Sequence, residues 1–248
     1  IIQPHLFEPF AGGASLSLGL LARGVVDRVT LIERDPLVYA FWKCIKRCPD
    51  ELCEKVWKLD VSLATWKKYQ RYLAKDALAR YKLLDLAVAG LFFNRANFSG
   101  IIGAKPIGGM SQSSAYPIDC RFNRQALIGR ICDIAKFRDR MAVCAGDGVA
   151  FMKRSRSRIA QLARRQRAIV YVDPPYYQQG KKLYRYHFDK SDHQALAKYM
   201  NGVGLPWLVS YDNDPFILDL FERQKIIPIF LKYTVKQNRR ADELLITN

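Results

Sequence analysis

The sequence predicts an α/β fold with a mostly parallel sheet and a helical insert. Three observations carry that expectation. Short, apolar, β-branched runs alternate with helical stretches, and Gly and Pro separate them. Several of these runs end at or just before an acidic residue. A long middle segment then interrupts the alternation before it resumes.

The elements follow in order. His5 to Phe10 reads as a strand, followed by the loop Ala11-Gly12-Gly13-Ala14 and an apolar helix from Ser15 to Ala22. Arg28 to Ile32 is a second strand ending at Glu33, and Pro36 suits the first turn of a helix running to Arg47. Met141 to Cys144 and Ala168 to Val172 are strands leading to Asp147 and Asp173. Trp207 to Ser210, Ile226 to Lys232 and Glu243 to Thr247 complete the strands, with helices near Ser191 to Met200 and Asp214 to Phe221. Val61 to Leu91 is helical in character, and Phe92 to Cys120 is a polar, Gly-rich stretch too long for an ordinary connection. Residues 57–135 therefore read as an insert in a catalytic domain built from 1–56 and 136–248.

Composition narrows the partner. The 248 residues carry 40 Lys+Arg against 23 Asp+Glu, a net charge of +17. Small domains stay soluble with a net charge of about 2–8, so the surplus points to a polyanion, nucleic acid first. Dense basic runs stand at Lys153, Arg154, Arg156, Arg158, Arg164, Arg165 and Arg167, and at Lys232, Lys236, Arg239 and Arg240. No apolar run approaches the ~18 residues of a membrane span, and no secretory signal is visible. The six cysteines form no CxxC pair and the three histidines are scattered, so no metal site is expected. The cysteines read as reduced, mostly buried thiols.

In a parallel sheet, ligands bind outside the carboxyl ends of the strands. Glu33, Asp147 and Asp173 all fall at such ends, and with the glycine loop they suggest one site. Gly12 and Gly13 let the backbone approach a ligand and expose amides at a helix start. Glu33 follows about twenty residues later, where an acid accepts from ribose hydroxyls. There is neither a GxGxxG fingerprint nor a Walker lysine, which favours a different adenosine-bearing cofactor. Asp173-Pro174-Pro175-Tyr176 sets a carboxylate beside carbonyls fixed by proline. Those acceptors match the two N–H groups of an exocyclic amine, and Tyr176 offers a face on which a base can stack.

Together, Phe7-Glu8-Pro9-Phe10-Ala11-Gly12-Gly13 and Asp173-Pro174-Pro175-Tyr176 resemble the motifs of the DNA adenine methylase (Dam-like) family. Phe93 to Gly100, Ser210 to Asn213 and Glu243 to Asn248 resemble further segments of that family, in the same order, so the resemblance covers nearly the whole chain. It implies a Rossmann-like methyltransferase fold with a helical target-recognition insert. The implied reaction is methyl transfer from S-adenosylmethionine to adenine N6 in duplex DNA, leaving S-adenosylhomocysteine, with the base flipped into the Asp-Pro-Pro-Tyr pocket. An RNA adenine methyltransferase would share the chemistry. A DNA-binding protein on a vestigial methyltransferase fold is the other alternative, and the intact Asp-Pro-Pro-Tyr speaks against it.

By the resemblance, Phe10, Ala11, Gly12 and Gly13 cradle the methionine part of the cofactor, and Glu33 holds its ribose. Asp147 and Gly148 meet its adenine. Asp173 and Pro174, followed by Pro175, bind the target amine, and Tyr176 stacks on the base. Arg95, Asn97 and Ser99 lie beside the DNA backbone, and Lys181, Lys182 and Arg185 belong to a basic, aromatic loop that clasps DNA. The implied partner is double-stranded DNA, bound by a monomer, with no metal and no membrane, in a cytoplasmic enzyme of bacterial or phage origin. Three departures stand out. Ala14 replaces a common glycine, Arg34 stands where the family often has an apolar residue, and the family's basic, Gly-rich upstream segment is not present before Ile1.

Overall fold

The computed structural model describes residues 3–165, 167–232 and 240–248. The chain forms two compact units, Ile1–Ile32 with Gly146–Asn248, and Glu33–Ala145.

The first unit opens with β1 (His5–Glu8), α1 (Ser15–Ala22) and β2 (Arg28–Glu33), whose last residue begins the second unit. The second unit continues with α2 (Pro36–Arg47), α3 (Pro49–Trp57), α4 (Leu63–Tyr69), α5 (Ala77–Arg80), α6 (Leu83–Ala96), α7 (Arg124–Ala135) and β3 (Met141–Ala145). The first unit then resumes with α8 (Gly148–Ala163), β4 (Ala168–Val172), α9 (Gly180–Leu183), α10 (Lys190–Gly202), β5 (Trp207–Asp212), α11 (Pro215–Leu220), β6 (Lys225–Lys232) and β7 (Arg240–Thr247). The α/β class and the mostly parallel sheet expected from the sequence are both observed.

In the first unit the strands run in the order β2-β1-β4-β5-β7-β6. β2, β1, β4 and β5 are parallel, and β7 and β6 close one edge antiparallel. β1 is therefore a switch point, with β2 on one side and β4 on the other. At such a point the crossover helices diverge and leave a crevice at the carboxyl ends of the strands. β1 is shorter than the expected His5–Phe10 run, because Pro9 has no N–H to continue the ladder. β7 is longer than expected and starts at Arg240.

Alternation places Phe7, Val170, Val172, Trp207, Val209 and Tyr211 in one buried cluster, joined by Leu196 and Met200 of α10 and by Met152 and Ile159 of α8. Each large side chain buried there contributes roughly 1.5–3 kcal/mol relative to exposure. α10 is fixed at its start by a capping box between Asp189 and Asp192.

The second unit is helical around α2 and α6. α6 is apolar nearly all round, with Leu86 to Phe93 buried. Gly90 permits its close approach to α2, since a Cβ there would stand 2.8 Å from the Leu37 carbonyl oxygen. Past α6 the Gly-rich stretch is held mainly by turns and a short bridge between Asn97 and Pro106.

Of the second basic run, Lys236 and Arg239 lie outside the described residues. Among the described residues no helix is long and apolar enough to cross a membrane.

Candidate active site

β1 delivers the glycine loop to the carboxyl edge of the sheet. Buried Glu8, the last residue of the strand, accepts from the hydroxyl of buried Ser17 in α1, which pins the loop at its base. The Ala11 amide donates to the Ile32 carbonyl at 3.0 Å, so the loop is hung from the end of β2. Gly12 has φ +45°, a left-handed conformation natural to glycine. Ala14 has φ +49° as well, so the departure from glycine carries backbone strain on the order of 1 kcal/mol. Ala14 supplies no side-chain cap to α1, whose first turn holds no acid. Its leading amides and the positive end of the helix dipole suit an anionic group.

A cradle exists above this loop. A Cβ on Gly12 would meet nothing within 4 Å, and one on Gly13 would meet only the Ser15 hydroxyl, at 3.7 Å. Phe10 is half-buried and packs edge-on against Phe188, with ring centres 5.6 Å apart. These residues fit the methionine end of S-adenosylmethionine: open space over glycine, an aromatic wall and an uncapped helix start.

Glu33 follows Ile32 at the end of β2, and one carboxylate oxygen accepts the Asp35 amide at 2.7 Å. Asp35 caps α2 by accepting from the Leu37 amide. Arg34 is exposed. Asp147 caps α8, accepting from the Ala150 amide at 2.8 Å, which orients its carboxylate. Gly148 is buried hard against Pro9, so the start of α8 and the glycine loop fit together only because residue 148 has no side chain.

β4 delivers Asp173 to the same edge. Its carboxylate accepts from the Ser210 hydroxyl at 2.7 Å, and Ser210 in turn meets the Tyr171 hydroxyl at 3.0 Å. Burial raises the Asp173 pKa above the ordinary carboxylate value; the Ser210 hydrogen bond opposes that shift and the Glu243 charge adds to it. Burial and the Asp173 charge push the Tyr171 phenol up to about 12, so it stays protonated. Pro174 and Pro175 are buried, and the Pro174 carbonyl takes no hydrogen bond among the described residues. A half-buried carboxylate and a carbonyl without a hydrogen bond among the described residues thus stand on adjacent residues. Tyr176 follows, half-buried.

Asp212 holds the next turn, accepting the amides of Tyr177 at 3.0 Å and Gln178 at 2.8 Å. Ser210, Asp212, Tyr171 and the Glu8–Ser17 pair are supporting roles that motif reading did not assign. Their signal lay in the Ser210-Tyr211-Asp212-Asn213 run, but only the β4–β5 pairing shows what it touches. Beyond the turn, Lys181 and Lys182 are exposed on α9, and Arg185 lies over the Tyr186 ring at 5.7 Å.

In the second unit, Arg95 stands half-buried in the last turn of α6, and its Nε has no partner among the described residues. Burial and the neighbouring Arg121 charge lower its pKa. Ser99 is exposed, with φ +53°. Asn97 differs from the expected DNA contact. It is buried, with its carbonyl taking the Trp66 indole N–H at 2.7 Å and its amide donating to Ile101 and Ile102 at 3.1 and 2.8 Å. Those bonds occupy both amide hydrogens, so this side chain organises the loop from inside and has no donor left for a phosphate.

Residues 3–235 match the family described as D12 class N6 adenine-specific DNA methyltransferase. The chain belongs to that family. As a D12 class member it is a DNA adenine methyltransferase, and the Dam-like resemblance read from its motifs agrees with this. Among solved structures it is similar to the rRNA methyltransferase AviRa from Streptomyces viridochromogenes. The likeness has 15% identity and a TM-score of 0.35, and it covers 100% of this chain and 78% of that one. No curated protein matches. Among the described residues, no cluster of three or more His, Cys, Asp or Glu is arranged to hold a metal.

Proposed function

We propose that this D12 class enzyme transfers a methyl group from S-adenosylmethionine to the exocyclic N6 of an adenine flipped out of duplex DNA. The observation that carries the reading is the pair of acceptors at the end of β4. Asp173 is held by Ser210, and the Pro174 carbonyl beside it is unpaired.

An exocyclic amine brings two N–H donors, and the two acceptors take one each. With both hydrogens held, the nitrogen lone pair is directed out of the base plane, and the amine is oriented for in-line attack. Asp173 lies where positive charge develops on nitrogen, and its raised proton affinity suits that charge. Tyr176 stacks on the base, offsetting the few kcal/mol lost on unstacking. S-adenosylmethionine supplies an electrophilic methyl group on a sulfonium. Phe10 to Gly13 would hold its amino-acid end, Glu33 its ribose hydroxyls, and Asp147 with Gly148 its adenine. Residues 57–135 would serve as the target-recognition insert. Arg95, Lys181, Lys182 and Arg185 would neutralise phosphates, and the Ser99 hydroxyl would donate to one.

Incubating the protein with methyl-labelled S-adenosylmethionine and either duplex DNA or RNA tests this. Label in N6-methyladenine of DNA alone is expected. Label in RNA alone, or none with cofactor bound, would overturn the reading.

A further inference from the structure

The first basic run lies on α8 and the turn after it, and no step of the methyl-transfer reading uses it. Seven Lys and Arg stand between residues 153 and 167, while no Asp or Glu occurs from Gly148 to Val172. All seven are exposed, and none makes an ion pair among the described residues. Lys153, Arg156, Ser157, Gln161 and Arg164 fall at helical i, i+3, i+4, i+8 and i+11 spacing, so they share one face. The opposite face carries Met152 and Ile159 into the core.

That face borders a groove of about 670 Å³, lined by Arg156, Ser157, Gln161 and Arg164 on one side and by Val203, Gly204 and Pro206 on the other. The Arg156 guanidinium donates to the Val203 carbonyl at 3.3 Å, which fixes one wall. The groove lies at the sheet edge opposite the Asp-Pro-Pro-Tyr pocket. Arg164 leads into the amino end of β4, and Pro206 into that of β5, whereas Asp173 leaves the carboxyl end of β4. Five strand residues separate the edges, roughly 16 Å at 3.3 Å each.

Helix-dipole compensation would explain one or two cations in the last turn. It does not explain seven without a single counter-charge. The face is also wrong for a lipid surface, since Ser157, Ala160 and Gln161 leave it without apolar side chains to insert. Lacking an exposed aromatic platform, it does not suit single-stranded RNA either. From Lys153 to Arg164 the helix rises about 16 Å, which spans roughly five phosphates of one duplex strand at ~3.4 Å each.

We infer that the α8 face and its groove form a second DNA site, which binds the backbone of a duplex segment outside the one presented to the catalytic edge. The site reads charge, not sequence. It rests on duplex DNA as the substrate and does not depend on the cofactor reading.

The test compares Lys153→Gln/Arg156→Gln/Arg164→Gln with wild type on a duplex of about 12 base pairs and on one of about 40, by titration over several salt concentrations. On the long duplex the variant should bind at least tenfold more weakly, and its slope of log K against log[salt] should be shallower by about three units. On the short duplex both quantities should stay near wild type. Keeping Lys153 and replacing Arg156 and Arg164 by Lys should leave long-duplex binding near wild type, separating lost charge from misfolding. Equal losses on both duplexes would place these cations in the catalytic-site channel and overturn a second site. No loss on either would overturn it as well, and so would a loss confined to structured RNA. Because binding is read without turnover, absent methyl transfer would count against the proposed function alone.

Discussion

Replacing Gly148 by Ala tests how the glycine loop and α8 are fitted together. The new Cβ would fall on the Pro9 carbonyl oxygen and stand 2.8 Å from the Pro9 Cβ and 2.9 Å from its carbonyl carbon. Ordinary carbon contacts lie at about 3.5–4.0 Å, so Pro9 or the start of α8 must move by roughly 1 Å. None of the three atoms belongs to a flexible side chain that can swing away. Overpacking of this kind costs about 1–3 kcal/mol, which the better helix propensity of Ala offsets only in part. A net loss near 1–2 kcal/mol corresponds to a Tm lower by roughly 2–8 °C at this size. The loop that shifts also carries Phe10 to Gly13, so calorimetry should show S-adenosylmethionine binding weakened by about tenfold or more. Gly13→Ala is the matched control. Its Cβ meets only the Ser15 hydroxyl at 3.7 Å, so Tm should hold while cofactor affinity falls, because the methyl group enters the cradle. Wild-type Tm and cofactor affinity in Gly148→Ala would refute the fit of loop to helix.

Three other perturbations probe different parts of the account. Ser210→Ala removes the donor that favours the charged form of Asp173, so the acidic limb of the kcat/KM profile should move to higher pH; an unmoved limb would separate Asp173 from that limb. Glu33→Ala should weaken S-adenosylmethionine binding by about 1.5–3 kcal/mol with little change in turnover at saturation, whereas unchanged affinity by calorimetry would remove Glu33 from the ribose. His5 should make folding stability pH-dependent, since burial first and then the Arg158 and Arg28 charges lower its pKa from 6.5 to about 4. Between those values the unfolded chain holds a proton that the folded one does not, so stability is full above about 6.5 and is lost as the pH falls toward about 4. Urea titrations of wild type and His5→Gln across that window should diverge, and parallel curves would contradict the assignment.

Much of this architecture was legible because Pro and Gly punctuate it. Ser15–Ala22, Pro36–Arg47 and Ala168–Val172 have the bounds the sequence suggests. Acids at strand ends likewise pointed to the carboxyl edge before any topology was known. What stayed hidden depended on partners distant in sequence. The tie from Tyr171 through Ser210 to Asp173 exists only because β4 pairs with β5. Asn97, a polar residue in a Gly-rich stretch, reads as surface, yet Trp66 and two carbonyls draw it inside. The strain at Ala14 is equally silent, since a small residue in a loop reveals its φ only when the loop is built.

The most direct measurement is single-turnover transfer of labelled methyl from S-adenosylmethionine to duplex DNA by Asp173→Ala, with cofactor and DNA both saturating. Losing one preorganised polar contact in a buried site should slow the chemical step by at least ~10²-fold while folding and DNA affinity stay near wild type. A wild-type rate in that folded, DNA-bound variant would take Asp-Pro-Pro-Tyr out of the mechanism and contradict the account.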